Sequence, residues 1–189
     1  MDYTTLSLAD VKTGLAEIAR DVESTFGALN GRQLNWRPDP ARWSVAQCLE
    51  HLLTANRLMI GQADDALDPA HPRSVWQRLP VLPGLLGRLI VRSQAPEATR
   101  KYTSPASSRP ATSDIAADVV QRFVAQHRDA VARVAAMDEG SAGRTIMTSP
   151  FARIVTYSVL DGWRLMLAHD RRHVEQARRV TQAAGFPGA

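Results

Sequence analysis

The sequence predicts an all-α protein: a four-helix bundle with a long crossover connection between its second and third helices. Three observations predict it. Four long stretches repeat apolar residues at helical spacing. Proline-bearing loops separate them. One connection, residues 68–112, holds seven of the eleven prolines. Almost no strand is expected. A chain of 189 residues is long enough to bury a real core, and residues 1–189 read as a single domain with 68–112 as a crossover or insertion.

The first helix is expected over residues 7–29. Ser7 caps it with Asp10 three positions on, and Leu8, Val11, Leu15, Ile18, Val22 and Phe26 form one apolar stripe. Asn30-Gly31 reads as its stop. In the following loop Pro38 and Pro40 forbid a helix, and Trp36 and Trp43 bracket it as clamps against the bundle. The second helix starts at Ser44, whose hydroxyl forms a capping box with Gln47, and runs to Leu67, where Asp68-Pro69 stops it. Its inner stripe is Cys48, Leu52, Ala55 and Met59, and His51 lies on that face.

The crossover is expected to hold one short helix, residues 85–93. Connections this long are uncommon in compact domains and often functional; in a bundle they let neighbouring helices run parallel. The third helix is expected from Ser113 or Asp114 to Met137, with His127 on the edge of its apolar stripe, and Asp138 to Gly143 as a turn-rich loop. The last stretch is read over residues 151–184, opened by Pro150, with Asp161-Gly162 marking a kink. Gly162, Met166, His169, His173 and Val180 share one face.

Composition excludes several classes of function. No apolar run approaches bilayer length; the greasiest stretch, 81–91, is broken by Pro83, Gly84, Gly87 and Arg88. No basic segment followed by an apolar block opens the chain, so no signal peptide is read. The single Cys48 rules out an internal disulfide framework and fits a reducing cytoplasm. Net charge is only +4, with no basic face of the kind nucleic acid requires. One basic concentration stands out: Arg73, Arg78, Arg88, Arg92, Arg100, Lys101 and Arg109 against the single acid Glu97. It reads as a solvated loop or as a patch near the site mouth that attracts an anionic substrate.

Chemistry concentrates in His169-Asp170-Arg171-Arg172-His173. Residues i and i+4 of a helix lie on one face, so both imidazoles can reach one ion at about 2.0–2.1 Å, the Zn–N distance. Chance alone places such a pair in roughly one sequence in ten of this composition, so the pair needs support. The zinc-protease motif H-E-x-x-H fails here: position 170 is Asp, one methylene short, and no histidine follows His173. A third ligand must come from upstream, and His51 is the candidate. Taken singly, His51 reads equally as a core histidine bonded to a carbonyl. Three inward imidazoles with no shared partner leave many polar groups to satisfy, and one metal satisfies all three. Histidine ligation suits zinc, nickel, copper or iron over magnesium or calcium. His127 reads as a fourth ligand or a second-shell base, and His71 as exposed. Cys48, one turn before His51, is read as a small buried hydrophobe. Trp163 reads as a core aromatic, and Asn56 and Gln176 as side chains able to orient a ligand ring.

Trp36-x-Pro38, Trp43-Ser44-Val45-Ala46 and His51-Leu52, followed by Ser149-Pro150-Phe151-Ala152 and His169-x-x-x-His173 with Gln176, resemble the second-helix and last-helix signatures of the DinB-like (YfiT-like) putative metalloenzyme superfamily. The likeness spans about residues 5–184 apart from the crossover. The family pattern often reads His-Pro-x-x-Gly where this chain has Ser149-Pro150-Phe151-Ala152-Arg153, a departure that touches only the start of the last helix. The resemblance implies a four-helix bundle, a nickel or zinc ion on residues matching His51, His169 and His173, and a homodimer. It further implies enzymes that transfer or isomerise with low-molecular-weight thiols. Binding of DNA is not implied.

Three protein ligands leave an open position on a metal. A substrate thiol bound there loses its proton and attacks an electrophile, or bound water hydrolyses an ester or amide. Hydrolysis wants a proton acceptor, and on helical geometry none of Glu50, Asp161, Asp170 and Glu175 points clearly inward. The sequence therefore reads as a metal-dependent enzyme of thiol-dependent S-transferase type acting on a small molecule. The alternatives are a metal-dependent hydrolase, or a non-catalytic metal-stabilised binding or stress-response protein.

Overall fold

The computed structural model describes residues 1–78, 82–96, 105–112 and 114–188. Among these the chain is mostly helical, with a small two-stranded sheet. Four long helices, α1 (Leu8–Phe26), α3 (Val45–Leu67), α5 (Val119–Ala135) and α7 (Val159–Thr181), pack against one another, α1 on α5 and α7, and α3 on α7 and α5. None of the described helices is long and apolar enough to cross a membrane.

Helix α1 begins where the sequence indicates. The Asp10 N–H donates to the Ser7 hydroxyl and the Ser7 N–H donates to the Asp10 carboxylate, which closes the capping box. The predicted stripe from Leu8 to Phe26 is wholly buried. The helix stops three residues before the predicted end, because Asn30 is not a stop signal here. Its side chain caps a further short helix, α2 (Gly31–Asn35), in a reciprocal box with Gln33. Asn-x-x-Gln performs at residue 30 the task that Ser-x-x-Gln performs at residue 44.

Helix α3 matches its predicted bounds. Ser44 and Gln47 exchange hydrogen bonds of 3.1 Å in each direction, and the Gln47 amide also donates to the Ala111 carbonyl, tying the crossover to the start of the helix. Within the crossover, a 3-10 turn (Val75–Arg78) precedes α4 (Leu82–Gln94), longer than the segment expected, and a second 3-10 turn (Ala106–Ser108) follows. Helix α4 packs on α7 and on the sheet.

Several expectations need correction. The third long helix starts at Val119, several residues later than read from sequence, because Asn35 takes both backbone groups of Ile115 at 2.8 and 2.9 Å and holds that segment extended. Ser113 lies outside the described residues. The turn-rich loop after α5 contains a short helix, α6 (Glu139–Arg144), capped by Asp138. The chain then forms an antiparallel hairpin, β1 (Ile146–Ser149) with β2 (Ala152–Ser158), where almost no strand was expected. Pro150 and Phe151 make its turn rather than opening a helix. The run Ile154-Val155-Thr156-Tyr157 is β-branched and aromatic, which favours a pleated strand, and Ser158 caps α7 by accepting from the Asp161 N–H. Gly162 marks a close approach, not a kink: a Cβ there would lie 2.5 Å from the Met147 sulfur of β1.

Loss of the Ser44 hydroxyl removes one partner of the box that starts α3, so Ser44→Ala should cost about 1 kcal/mol of stability. Urea denaturation monitored by circular dichroism measures it, and an unchanged midpoint would contradict the role given to this cap.

Candidate metal centre

His51 sits two turns into α3, and His169 and His173 sit one turn apart in the middle of α7. Packing of α3 on α7 brings the three rings together. One ligand atom from each lies within 4.8 Å of the others, and the Nε2 atoms of His51 and His169 are 3.3 Å apart. The ring centroids stand 4.6–5.1 Å apart and meet edge to face.

Neighbouring oxygens decide which ring nitrogens face inward as bare lone pairs. His51 Nδ1 is 2.6 Å from the Ser108 carbonyl. A carbonyl only accepts, so Nδ1 carries the proton and Nε2 is left as a lone pair toward the cluster. His173 Nδ1 lies 2.9 Å from the Gln176 amide oxygen, with the same consequence. Burial pushes His51 below its ordinary value. Burial, reinforced by His173 and His51, pushes His169 well below it, and burial with His51 beside it takes His173 down to about 3. The rings are neutral at neutral pH, which is the form that ligates a cation. The donor set therefore fits a divalent ion of the nitrogen-preferring kind.

Trp43 covers one side of the cluster. Its ring stacks on His173 at 5.8 Å and 25° and lies 5.0 Å from His51. It is a clamp, as the sequence suggested, but a clamp on the histidines. Its position immediately before the cap of α3, two turns from His51, is the signal that could have revealed this. Trp36 clamps elsewhere, edge-on to Phe186, and Trp163 is in the core.

His127 is not part of the cluster. It is fully buried on α5, with Nε2 3.0 Å from the Asp170 carboxylate and Nδ1 3.1 Å from the Phe123 carbonyl. Asn56 of α3 donates to both Asp170 oxygens, at 3.0 and 3.2 Å. Asp170 thus points inward, contrary to the sequence reading, but toward α5 and away from the open site. The His127 ring is thus held between the Phe123 carbonyl and the Asp170 carboxylate. Asn56 positions Asp170 rather than a ligand ring. Asp161, also buried, pairs with Arg164 at 2.9 Å, while Glu50 accepts from the Ala111 N–H and Glu175 faces Arg178 and Arg179. Cys48 is buried outside the cluster, its thiol pushed up to about 12 by burial. His71 is exposed.

The histidines open onto a cavity of about 1020 Å³, at the upper end of the range for small-molecule sites. The crossover helps to wall it, through Ile90 and Gln94 of α4 and through Pro105, Ser108 and Arg109. Of the basic crossover residues only Arg109 lines the cavity among those described; Arg73, Arg78, Arg88 and Arg92 do not, and Arg100 and Lys101 lie outside the described residues. Arg172 lines it as well.

The family model of the DinB superfamily matches residues 15–177, a span that includes all three clustered histidines. No curated protein and no solved structure matches the chain.

Two outcomes follow from the buried groups. Asp170→Ala strands His127 and Asn56 without their partner and should destabilise the fold by about 3–5 kcal/mol, read by chemical denaturation; a change below 1 kcal/mol would show the pair to be incidental. The second concerns pH. The three rings resist protonation when folded and accept it when unfolded, so the unfolded state binds more protons below about pH 6.5. Stability of the metal-free protein should therefore fall as pH drops from about 6.5 toward 3. Thermal melts of chelator-treated protein across that range check it, and a His169→Gln/His173→Gln double variant should show a flatter profile.

Proposed function

We propose that this chain, which belongs to the DinB superfamily, is a metal-dependent enzyme that binds a divalent ion, nickel or zinc, through His51, His169 and His173. Its chemistry is of the thiol-dependent S-transferase type on a small molecule. The observation that supports the reading is the convergence of three imidazole rings, one ligand atom of each within 4.8 Å of the others, on a large open cavity. A purely structural site has its fourth position filled by the protein, and among the described residues no fourth His, Cys, Asp or Glu joins this cluster.

When bound, the ion supplies stabilisation of a substrate thiolate at neutral pH. The residues of the chain do the rest. Ser108 and Gln176 fix the orientation of His51 and His173 through their Nδ1 atoms. Trp43 shields one side of the cluster from water, and the cavity has room for a thiol and its electrophilic partner side by side. Hydrolysis is the weaker alternative because it calls for a general base. No described residue lining the cavity is Asp or Glu, and the carboxylate next in sequence to His169 is committed to His127 and Asn56. A non-catalytic, metal-stabilised binding protein would use the same cavity, and turnover by the loaded protein separates it from an enzyme. The proposal extends to a four-helix bundle of the family type, formed by α1, α3, α5 and α7, and to a cytoplasmic homodimer; the mutual packing of those helices and the family membership support the first.

Metal analysis of the purified protein beside His51→Ala and His173→Ala tests the site. Wild type should hold about one ion per chain, and each variant should lose at least about tenfold in affinity. Stoichiometric metal in both variants would overturn the assignment. A screen of thiol transfer against ester hydrolysis with the loaded protein then separates the two chemistries.

A further inference from the structure

The lining of the histidine cavity is rich in arginine. Five arginines line it, Arg37, Arg42, Arg109, Arg172 and Arg179, and among the described lining residues there is no Asp or Glu. Arg37 and Arg42 come from the loop before α3, and Arg179 faces them from α7. The Arg42 guanidinium makes no hydrogen bond or ion pair among the described residues, Arg37 donates only to the neutral carbonyl of Pro40, and Arg179 meets Glu175 at a long 3.8 Å. The histidines are neutral ligands, so any divalent ion they hold adds its full charge to the same space. The one buried carboxylate nearby, Asp170, is already matched by His127. Arg37, Arg42 and Arg179 are exposed at the mouth of the cavity, where like charges raise the local concentration of an anionic ligand. The lining also includes the apolar side chains of Met59, Ile90, Phe151 and Leu165.

We propose that the cavity selects an anionic, partly apolar small molecule, whose carboxylate or phosphate is held by Arg42, Arg37 and Arg179 while its apolar body lies against the apolar side chains of the same cavity. Arg179 is six residues beyond His173, a rise of about 9 Å along the helix. Guanidinium groups suit both headgroups because their N–H donors match paired oxygens. Any chemistry on the ligand rests on the metal reading above; the preference for an anion does not.

Calorimetric titration of metal-free and zinc-loaded protein with octanoate, octyl phosphate, octanol and octylamine tests the proposal. These probes share one chain length and differ in charge. The anions should bind at least about tenfold more tightly than octanol to the metal-free protein, octylamine more weakly still, and the anion preference should shrink as salt is raised. Whichever anion binds more tightly identifies the headgroup. An R42Q/R179Q double variant should lose about tenfold in anion affinity and keep its octanol affinity, and R42K/R179K should retain most of the preference. Octanol binding as tightly as octanoate, or full anion affinity in R42Q/R179Q, would overturn it. So would anion binding that appears only in the zinc-loaded protein, an outcome that leaves the metal reading standing. Failure of the histidine variants to lose metal, with anion preference intact in metal-free protein, would instead sink the metal reading alone.

Discussion

Everything in the site follows from the orientation of three imidazoles whose inner nitrogens face one another across less than 4.8 Å. Lone pairs at that spacing repel unless a cation or a proton lies between them, and burial has made protons unwelcome. The protein fixes this arrangement from outside. A carbonyl of the crossover holds His51 and a glutamine one turn on holds His173, each through the nitrogen that points away from the centre. The crossover, which looked in sequence like an insertion between two helices, is thereby part of the site: Ser108 sets the tautomer of His51, and its neighbours wall the cavity.

The buried Asp170, His127 and Asn56 explain how the remaining interior stays electrically quiet. They come from α7, α5 and α3 and join the three helices by hydrogen bonds in a place where an isolated charge would be intolerable. Because the acid and the imidazole satisfy each other, the carboxylate is not offered to the cavity. The described lining of the cavity offers no carboxylate to the arginines there, which leaves them able to meet an anionic ligand.

Much of this was legible in the sequence, and the parts that were not share a cause. The apolar stripes of α1 and α3, their capping boxes and the converging histidines follow from spacing along one helix at a time, and spacing is what a sequence displays. The hairpin was missed because Ser149-Pro150-Phe151 resembles a helix start, and only the β-branched run after it argues otherwise. The late start of α5 depends on Asn35, eighty residues away, and the short α2 depends on which of two roles Asn30 takes. His127 shows the same limit for the site: its edge position on the stripe was clear, but its partner lies on another helix. The arginines of the cavity were invisible for that reason too, since Arg42 and Arg179 meet across a space that no local pattern encloses.

One helix, α7, carries most of these demands, and its geometry settles a question the motif leaves open. Successive residues turn by about 100°. His169 and His173 share the cavity face with Arg172, Gln176 and Arg179. Arg171 and Arg178 reach Glu17 and Asp21 of α1 on the opposite side, and Leu167 packs against Gly14 there. Position 170 falls between these faces and enters the core. In a zinc protease the second residue of H-E-x-x-H must reach the water on the metal. Here that position is fully buried and held through both carboxylate oxygens, so lengthening Asp170 by a methylene would crowd α5 rather than supply a base. Position 170 is thus closed to the role that the glutamate plays in H-E-x-x-H by its burial against His127 of α5 and Asn56 of α3, more than by the identity of the acid.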